Sequence, residues 1–508
     1  MEEIMNYMKT MKNIFKTVFI LLLALGATGA MAQEEEKISN ERITTAVETE
    51  LIIRDDVPSY MIDVSTYEGV VTLTGSVPNI LAKDRAAAIA RTIKGVRAVV
   101  NEIDVRTPDV ADDELKERVK EALLNDPATD SYEVDVEAND GVIDLFGKVE
   151  SWHEKNLAED VAKQVKGVTA VENNIAFEYT VSRPDPEIRK GVMRALDNSI
   201  MVDNSLIEVS VTNGVVDLDG IVGSAAEKYE AAVIAYTTGV ENVDTADLKV
   251  RYWARNPNLR KDKYVEKPDE AIEEAVKDAF WYDPRVNSFD IKVIVEDAKV
   301  TLKGTVDNLK AKRAAKRTAR NVVGVTMVTN LIKVRPEVPA DVELINDVSH
   351  ALLMDPYVER FEIDVDAVNG IVYLDGEVDS YFEKSQAEDI TSRVYGVVDV
   401  KNYLNVRDAY TMQNRDYYYD YYNWNTTYPS DYGITLYSHP VSDDEIKASI
   451  ENQLWWSPFI NEDDIEITVD QGVATLSGEV ETISEREMAV QNAYEGGASV
   501  VINNIEVY

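Results

Sequence analysis

The chain has 508 residues, of which 45% are hydrophobic and 29% charged, and it contains no cysteine. This composition is typical of several globular domains, and it excludes disulfide bonds and thiolate chemistry. The formal net charge is −41. A field of that sign repels DNA, RNA and anionic membrane surfaces at long range, so non-specific binding to any of them is not expected.

The first 32 residues have the pattern of an export signal. Three lysines precede the apolar run 18–25, and the small-residue motif Ala30-Met31-Ala32 follows it. An apolar run of this length is shorter than the roughly 20 residues that span a bilayer. We therefore predict a signal peptide over 1–32, no transmembrane segment after its removal, and an exported soluble protein of the periplasm, with secretion as the alternative.

A two-residue turn followed by alternating apolar residues and a closing glycine occurs six times. The clearest copy runs from Asn213-Gly214 to Gly220, and Asn-Gly favours a type I′ hairpin turn because both central residues need positive φ. In the fourth copy Ala298 stands in place of the turn glycine, and we expect roughly 1 kcal/mol of strain or a different turn there. The other five turn glycines, for which we predict a structural role, are Gly69, Gly141, Gly214, Gly370 and Gly472.

Each hairpin lies between two predicted helices. The first helix has apolar residues at i, i+4 and i+8, as in Ile188, Val192 and Leu196. The second helix is rich in alanine and ends at a Gly-Val step, after which a third strand follows. This order, αββαβ, predicts an α+β fold of six tandem two-layer domains, each a small mixed three-stranded sheet covered by two helices. Residues of helix-capping type at the predicted helix starts include Asp112, Asp185 and Ser442.

The repeats are evenly spaced except at two insertions. Residues 252–266 form a mildly basic linker, and residues 408–439 form a tyrosine-rich insertion for which we expect a surface loop. The predicted repeats span 38–106, 111–179, 183–251, 267–335, 338–407 and 440–508.

The αββαβ order, the hairpin motif Gly-Val-Val-x-Leu-x-Gly and the later Gly-Val-x-x-Val-x-Asn step resemble the BON domain, the bacterial OsmY and nodulation domain of exported envelope proteins. The resemblance covers nearly the whole mature chain, in more copies than are usual in the family. It implies a non-enzymatic periplasmic protein that binds phospholipid or envelope proteins and is linked to osmotic stress and envelope integrity. Six weak modules in tandem would gain avidity. The strong acidity departs from what binding to anionic head groups requires.

A soluble periplasmic holdase-like stress chaperone is the alternative function, because open sheet edges accept client strands. An enzyme is not expected, and no catalytic, cofactor or metal site is predicted. The histidines, His153, His350 and His439, fall at different places in their repeats and do not converge by the symmetry of the repeat. The recurring asparagine after the Gly-Val step is interpreted as a turn or strand-entry residue.

One concentrated basic patch stands out in the fourth repeat, on its second helix, near Lys299 and Lys303. Its first interpretation is a docking surface for phosphate head groups or an acidic partner. Its second is intramolecular, with a basic repeat neutralising acidic neighbours, and the negative surroundings favour this second interpretation. The residues of the patch are Lys310, Arg313, Lys316, Arg317 and Arg320.

Overall fold

The computed structural model describes residues 38–507 except 55–56, 127, 130–133, 256–262, 265, 287–289, 359–361, 379, 407–441, 458–459, 461 and 499. The predicted signal peptide and the tyrosine-rich insertion both lie outside the described residues.

Two helices frame the hairpin in every repeat, as predicted. The first helix has 14 residues each time. In the second, fourth, fifth and sixth repeats it ends where an Asp-Pro or Ser-Pro step begins, because a residue before proline is disfavoured in the helical region. The first helices are α1 (Asn40–Ile53), α3 (Asp112–Asn125), α5 (Asp185–Asn198), α7 (Asp269–Tyr282), α9 (Asp341–Met354) and α11 (Asp443–Trp456). The second helices are α2 (Ile80–Arg91), α4 (Trp152–Lys163), α6 (Ala225–Ile234), α8 (Leu309–Arg320), α10 (Tyr381–Arg393) and α12 (Ile483–Glu495).

Each repeat has a mixed sheet with the second strand in the centre. The first strand pairs with it antiparallel and the third strand parallel. The hairpins are β1 (Ile62–Tyr67) with β2 (Val70–Val77), β5 (Val134–Asn139) with β6 (Val142–Val149), β9 (Ile207–Thr212) with β10 (Val215–Val222), β13 (Ile291–Glu296) with β14 (Lys299–Val306), β16 (Ile363–Val368) with β17 (Ile371–Val378), and β20 (Ile465–Asp470) with β21 (Val473–Val480). The third strands are β3 (Ala98–Asn101) with β4 (Asp104–Val105), β7 (Ala170–Asn173) with β8 (Ala176–Phe177), β11 (Asn242–Asp244) with β12 (Leu248–Val250), β15 (Met327–Val334), β18 (Asp399–Asn402) with β19 (Asn405–Val406), and β22 (Val500–Val507).

The core of a repeat lies between the sheet and its two helices. In the third repeat, Val216 and Leu218 of the central strand pack with Ile188, Val192 and Leu196 of the first helix, and all five are buried. Since side chains of a strand alternate between faces, the residues between these buried positions point away from the helices. The two-layer α+β architecture of six repeats is confirmed.

The hairpin turns have the positive φ that Asn-Gly predicts. Asn213 and Gly214 have φ of 51° and 75°, and the other turn glycines lie between 74° and 80°. In the fourth repeat Ala298 adopts the same conformation, with φ of 60°. The turn therefore keeps its type, and the alanine is the residue that is strained.

The glycine that closes the hairpin allows a close approach of two backbone segments. A Cβ atom on Gly220 would lie 2.0 Å from the carbonyl oxygen of Leu206, and one on Gly75 would lie 2.1 Å from that of Met61. No side chain fits at such a distance, so these positions require glycine.

An aspartate at the start of the first helix binds the hairpin turn of its own repeat. The Asp185 carboxylate accepts hydrogen bonds from the N–H groups of Asn213 (2.9 Å) and Gly214 (3.1 Å). The same bond is made in the last three repeats by Asp269, Asp341 and Asp443.

Two of the predicted helix caps are wrong. Pro184 and Ala111 occupy the N-cap positions of α5 and α3, and neither Asp185 nor Asp112 caps its helix. Asp185 is used instead to fasten the helix to the turn. Ser442 does cap α11, in a reciprocal pair with Glu445.

The recurring asparagine joins the third strand to the second helix. Asn173 donates from Nδ2 to the carbonyl oxygen of Lys155 in α4 (2.8 Å), and its Oδ1 accepts from the N–H of Ile175 (3.3 Å). Asn101, Asn330 and Asn402 make the same pair of bonds. The asparagines are therefore part of the fold, as interpreted.

Backbone hydrogen bonds connect the repeats in pairs, with the outermost two paired, then the next two, then the middle two. The N–H before the Gly-Val step of one repeat donates to the carbonyl of the last residue of another repeat's first helix. Lys94 donates to Trp456 (3.2 Å), Lys166 to Met354 (2.9 Å) and Val323 to Asn198 (2.8 Å). The first repeat thus pairs with the sixth, the second with the fifth and the third with the fourth.

We expect Ala298→Gly to stabilise the protein by about 1 kcal/mol, because glycine adopts positive φ without the Cβ clash. Urea denaturation followed by circular dichroism measures the difference. The matched control is Gly214→Ala, which introduces the same strain and places Cβ 3.0 Å from Cγ of Glu241. It should lower stability by a similar amount, and an Ala298→Gly protein no more stable than wild type would contradict the assignment of strain.

Candidate functional site in the fourth repeat

The predicted basic patch lies on α8, whose other side is apolar. Asn308 caps the helix by accepting from the N–H of Ala311. Ala311, Ala315 and Ala319 are buried against the sheet. Because residues three and four apart share a helix face, the basic side chains are left on the side that faces away from the core of their own repeat.

Three of the five patch residues bind acids of other repeats. Lys310 pairs with Asp126 of the second repeat, and this pair is nearly buried, with 12% and 5% of the side chains exposed. Burial lowers the pKa of Lys310, while Asp126 opposes that effect. The other two ion pairs are Arg313 with Glu388 of the fifth repeat and Arg320 with Glu487 of the sixth.

The two remaining patch residues, Lys316 and Arg317, are exposed. Within the described ranges neither forms an ion pair or a side-chain hydrogen bond. The patch is therefore divided: Lys310, Arg313 and Arg320 connect repeats, whereas Lys316 and Arg317 are available to a ligand.

A second basic surface lies on the sheet of the same repeat. Alternate residues of its three strands point away from the helices, and four of them are exposed lysines. Lys292 stands directly opposite Lys303 in the antiparallel pair. No ion pair of these lysines occurs in the part of the chain that the structure describes. We call Lys292, Lys299, Lys303 and Lys333 the lysine face.

Two exposed apolar side chains lie within the lysine face. Met327 is the parallel partner of Lys299, and Leu331 that of Lys303. They are 49% and 52% exposed. The face thus offers both positive charge and apolar surface to whatever covers it.

The lysine face is specific to the fourth repeat. Lys292 is the second residue of the first strand of its repeat. In the other five repeats this position holds an exposed acid. These acids pair across the hairpin one residue before the closing glycine, as Lys292 does. They are Asp63, Asp135, Glu208, Asp364 and Glu466.

Sequence reasoning named Lys299 and Lys303 but not the face. The signal was present as lysines at alternate positions of three predicted strands. It was missed because a strand face becomes visible only when the three strands are placed side by side in register.

The two histidines among the described residues, His153 and His350, bind different partners. His153 binds the carbonyl oxygen of Tyr236 through Nε2 (3.0 Å), and His350 lies 3.3 Å from Glu121. His439 is outside the described residues. Among those residues, no three His, Asp or Glu side chains are grouped so as to hold a metal ion. None of the described helices has both the length and the apolar composition needed to cross a membrane.

The fold and these surfaces define a tandem repeat protein of six small αββαβ domains, one of which is basic. The chain belongs to the BON-domain family. The BON domain matches residues 39–107, 111–179, 184–252, 268–336, 340–408 and 442–508.

Two curated relatives are envelope or stress proteins by name. The chain is 32% identical over 145 residues to osmotically-inducible protein Y of Escherichia coli (strain K12), covering 27% of this chain and 72% of that protein. It is 30% identical over 145 residues to outer membrane lipoprotein DolP of Haemophilus influenzae, with the same two coverages of 27% and 72%.

Among solved structures, the C-terminal domain of CdsD, a structural protein of the type III secretion system of Chlamydia trachomatis, matches 45% of this chain and 100% of that chain. The identity is 14% and the TM-score 0.13, and these values are too low to indicate a shared fold.

Replacing Lys310 with methionine should lower the free energy of unfolding by about 3 kcal/mol, because the buried Asp126 carboxylate loses its cation. Urea denaturation at neutral pH measures the loss. Lys316→Met is the matched control on the same helix, and its exposed side chain should change stability by less than about 0.5 kcal/mol. Equal stability of the two variants would show that Lys310 does not join repeats.

Proposed function

We propose that this protein is a non-enzymatic envelope-binding protein of the periplasm whose lysine face contacts anionic phospholipid head groups. The observation that carries the proposal is the exposed lysine face, which the other repeats replace with acids at one position. The names of the relatives, one osmotically inducible and one an outer membrane lipoprotein, support a role in osmotic or envelope stress.

The lysine face attracts an anionic membrane, whereas the acids of the chain repel it. Each lysine close to an anionic membrane contributes about 1 kcal/mol, so four contribute about 4 kcal/mol, and Glu296 on the same face, opposite Lys299, offsets about 1 kcal/mol of this. Repulsion by acids farther away is screened within about 8–10 Å at physiological ionic strength. Binding is therefore favourable when the lysine face is the part of the protein nearest to the membrane.

Met327 and Leu331 add an apolar component to this contact. Lysine side chains lay their methylene stems along apolar surface and direct the ammonium groups outward. Met327 and Leu331, next to Lys299 and Lys303 in register, would enter the head-group region while the ammonium groups bind phosphates.

Multivalency comes from the remaining repeats. Their sheet faces have an acid at the position of Lys292, so we propose that they bind envelope components other than anionic lipid. Tandem modules that engage one surface together gain avidity through effective concentration, even when each contact is weak.

The lysine face gives a cleaner test than the patch on α8. Reversing Arg313 and Arg320 to glutamate would place acids against Glu388 and Glu487 and would break contacts between repeats. A loss of lipid binding after those changes would not separate docking from folding. Among the described residues Lys299 and Lys303 form no ion pair with another repeat, and the acid opposite Lys299 is Glu296 of the same hairpin.

We expect the full chain without its signal segment to float with liposomes that contain anionic phospholipid at about 20 mM salt, and to be released at about 500 mM. Lys299→Glu with Lys303→Glu should abolish flotation, because two attractive charges become repulsive. Liposomes of zwitterionic lipid alone should not bind the protein.

The matched control is Lys249→Glu with Lys401→Glu, which changes the net charge equally. Lys249 and Lys401 also lie exposed on third strands, but each is near an acid, Asp247 at 4.0 Å and Asp399 at 2.8 Å. This control should float like wild type. Loss of flotation in both double variants would mean that total charge decides, and absence of flotation at every salt concentration would refute the lipid contact.

A further inference from the structure

A cavity of ≈ 350 Å³ lies where the second, third and fourth repeats meet. It is lined by residues of α4, α5, α6, α7 and α8 and of the segments after α5, α7 and α8. Its volume is within the range of about 300–1,000 Å³ that small-molecule sites occupy. It is separate from the lysine face, which lies on the opposite side of the fourth repeat's sheet from the helices.

One wall of the cavity is aromatic. Trp152, His153 and Tyr282 line it. Trp152 is held by stacking on Tyr236, with ring centroids 4.1 Å apart and planes 4° from parallel. His153 is held by the bond from Nε2 to the carbonyl oxygen of the same Tyr236 (3.0 Å). The wall is therefore fixed before any ligand arrives.

His153 brings no positive charge into the cavity at neutral pH. Burial lowers its pKa, and the hydrogen bond to the Tyr236 carbonyl opposes this less strongly. The neutral imidazole that donates from Nε2 presents an aromatic ring to the cavity, as Trp152 and Tyr282 do. The remaining charges of the lining must therefore decide which ligand fits.

Most charges of the lining cancel in pairs. Arg285 binds Asp283 in a bidentate arrangement, with Nε–Oδ1 of 2.7 Å and Nη2–Oδ2 of 2.9 Å. Arg194 lies against Asp278, with Nε–Oδ2 of 3.1 Å. These two pairs leave no net charge for a ligand.

Two carboxyl groups of the lining are not in ion pairs. Asp160 and Glu230 have no Lys or Arg nitrogen within 4.0 Å in the described part of the chain. Lys163, one turn from Asp160, binds Asp84 and Glu159 instead, at 2.9 Å each. The cavity therefore has an excess of two negative charges next to an aromatic wall.

The protein environment disfavours both of these charges. Burial raises the pKa of Asp160 to about 6, with Lys163 opposing, and burial also raises the pKa of Glu230, with Arg91 opposing. Carboxyl groups held in this way at a cavity, without a cation of their own, are typical of binding sites.

We propose that this cavity binds an organic cation, a protonated amine or quaternary ammonium group that carries an apolar body. The ammonium group lies in the negative field of the Asp160 and Glu230 carboxylates and next to the rings of Trp152 and Tyr282, where cation–π attraction adds to the attraction between opposite charges. The apolar body packs on Leu157 and Val233, which line the same cavity.

Isothermal titration of the full chain with phenethylammonium tests the proposal. Phenethyl alcohol and hydrocinnamate have nearly the same apolar body with no charge and with a negative charge. We expect saturable binding of the amine at neutral pH and at least about tenfold weaker binding of both analogues, since a desolvated cation–π contact and an ion pair are lost.

Glu230→Gln and Asp160→Asn should each weaken amine binding by about tenfold, the equivalent of one ion-pair contact. Glu466→Gln, an exposed acid of the sixth repeat, is the matched control and should bind like wild type. Equal binding of amine and alcohol, unchanged binding in both cavity variants, or no saturable binding of the amine would each overturn the proposal.

The cavity variants are expected to fold. Asp160 has a pKa above its unfolded value, so its charge disfavours the folded state at pH above about 6. Asp160→Asn should therefore raise the melting temperature at neutral pH, but only slightly, because the Asp160 side chain is exposed to solvent. This advantage should vanish below about pH 4, where the carboxyl is protonated in both states.

Amine binding should also weaken as the pH falls through about 6, because Asp160 takes up a proton while the amine stays charged. Titratable groups facing Asp160 are Lys163 and Glu159 of its own helix, Asp84 of α2 and Arg285. Lysine and arginine stay charged in this range. Binding of equal strength at pH 5 and pH 7, about one unit either side of that midpoint, would count against Asp160 as a partner of the cation.

Discussion

Hydrogen bonds from the start of the first helix hold the hairpin turn in the first repeat and in the last four. A type I′ turn with two positive φ values directs its N–H groups outward, where an acceptor must be found. The Asp185 carboxylate provides it from 28 residues earlier in the chain. Together with the close approach at Gly220, this bond fixes the first helix on one face of the sheet. Side chains on the other face of the sheet do not pack against the helices, so their residue types differ between repeats.

This division explains where the repeats resemble one another and where they differ. The turn glycine, the closing glycine and the asparagine all make bonds or contacts inside one repeat. The outward positions of the strands differ between repeats, and at one of them the fourth repeat has lysine where the others have an acid. The outer side of α8 differs for another reason, since its cations neutralise acids of the second, fifth and sixth repeats. The basic fourth repeat therefore links acidic repeats of the same chain through α8 and presents positive charge to solvent on its sheet.

Local structure could be predicted from the sequence because its causes are local. Positive φ at Gly214, the apolar stripe of α5 and the end of α3 before Asp126-Pro127 depend on residues a few positions apart. The pairing of repeats depends on contacts such as Lys94 with Trp456, hundreds of residues apart, between backbone groups that every residue has. The turn-binding role of Asp185 was hidden because a capping aspartate stands at the same place in a sequence. Of the candidate site, the cations of α8 were recognised, but not which of them would meet acids.

Two arrangements in this molecule lower the stability of the folded state, and among the described residues neither makes a structural contact that offsets the loss. Lys292 faces Lys303 across a strand pair, where like charges repel and are destabilising. Asp160 and Glu230 are held near an aromatic wall, where burial disfavours their charge. The buried pair of Lys310 with Asp126 avoids such a cost, whereas Glu208 faces Asp219 and Asp364 faces Asp375 at the same register in the third and fifth repeats. Local conflicts of this kind are expected where a surface or cavity serves a ligand, since the ligand supplies the missing opposite charge. The lysine face lacks an anion and the cavity lacks a cation, which is why we assign ligands of opposite sign to the two sites.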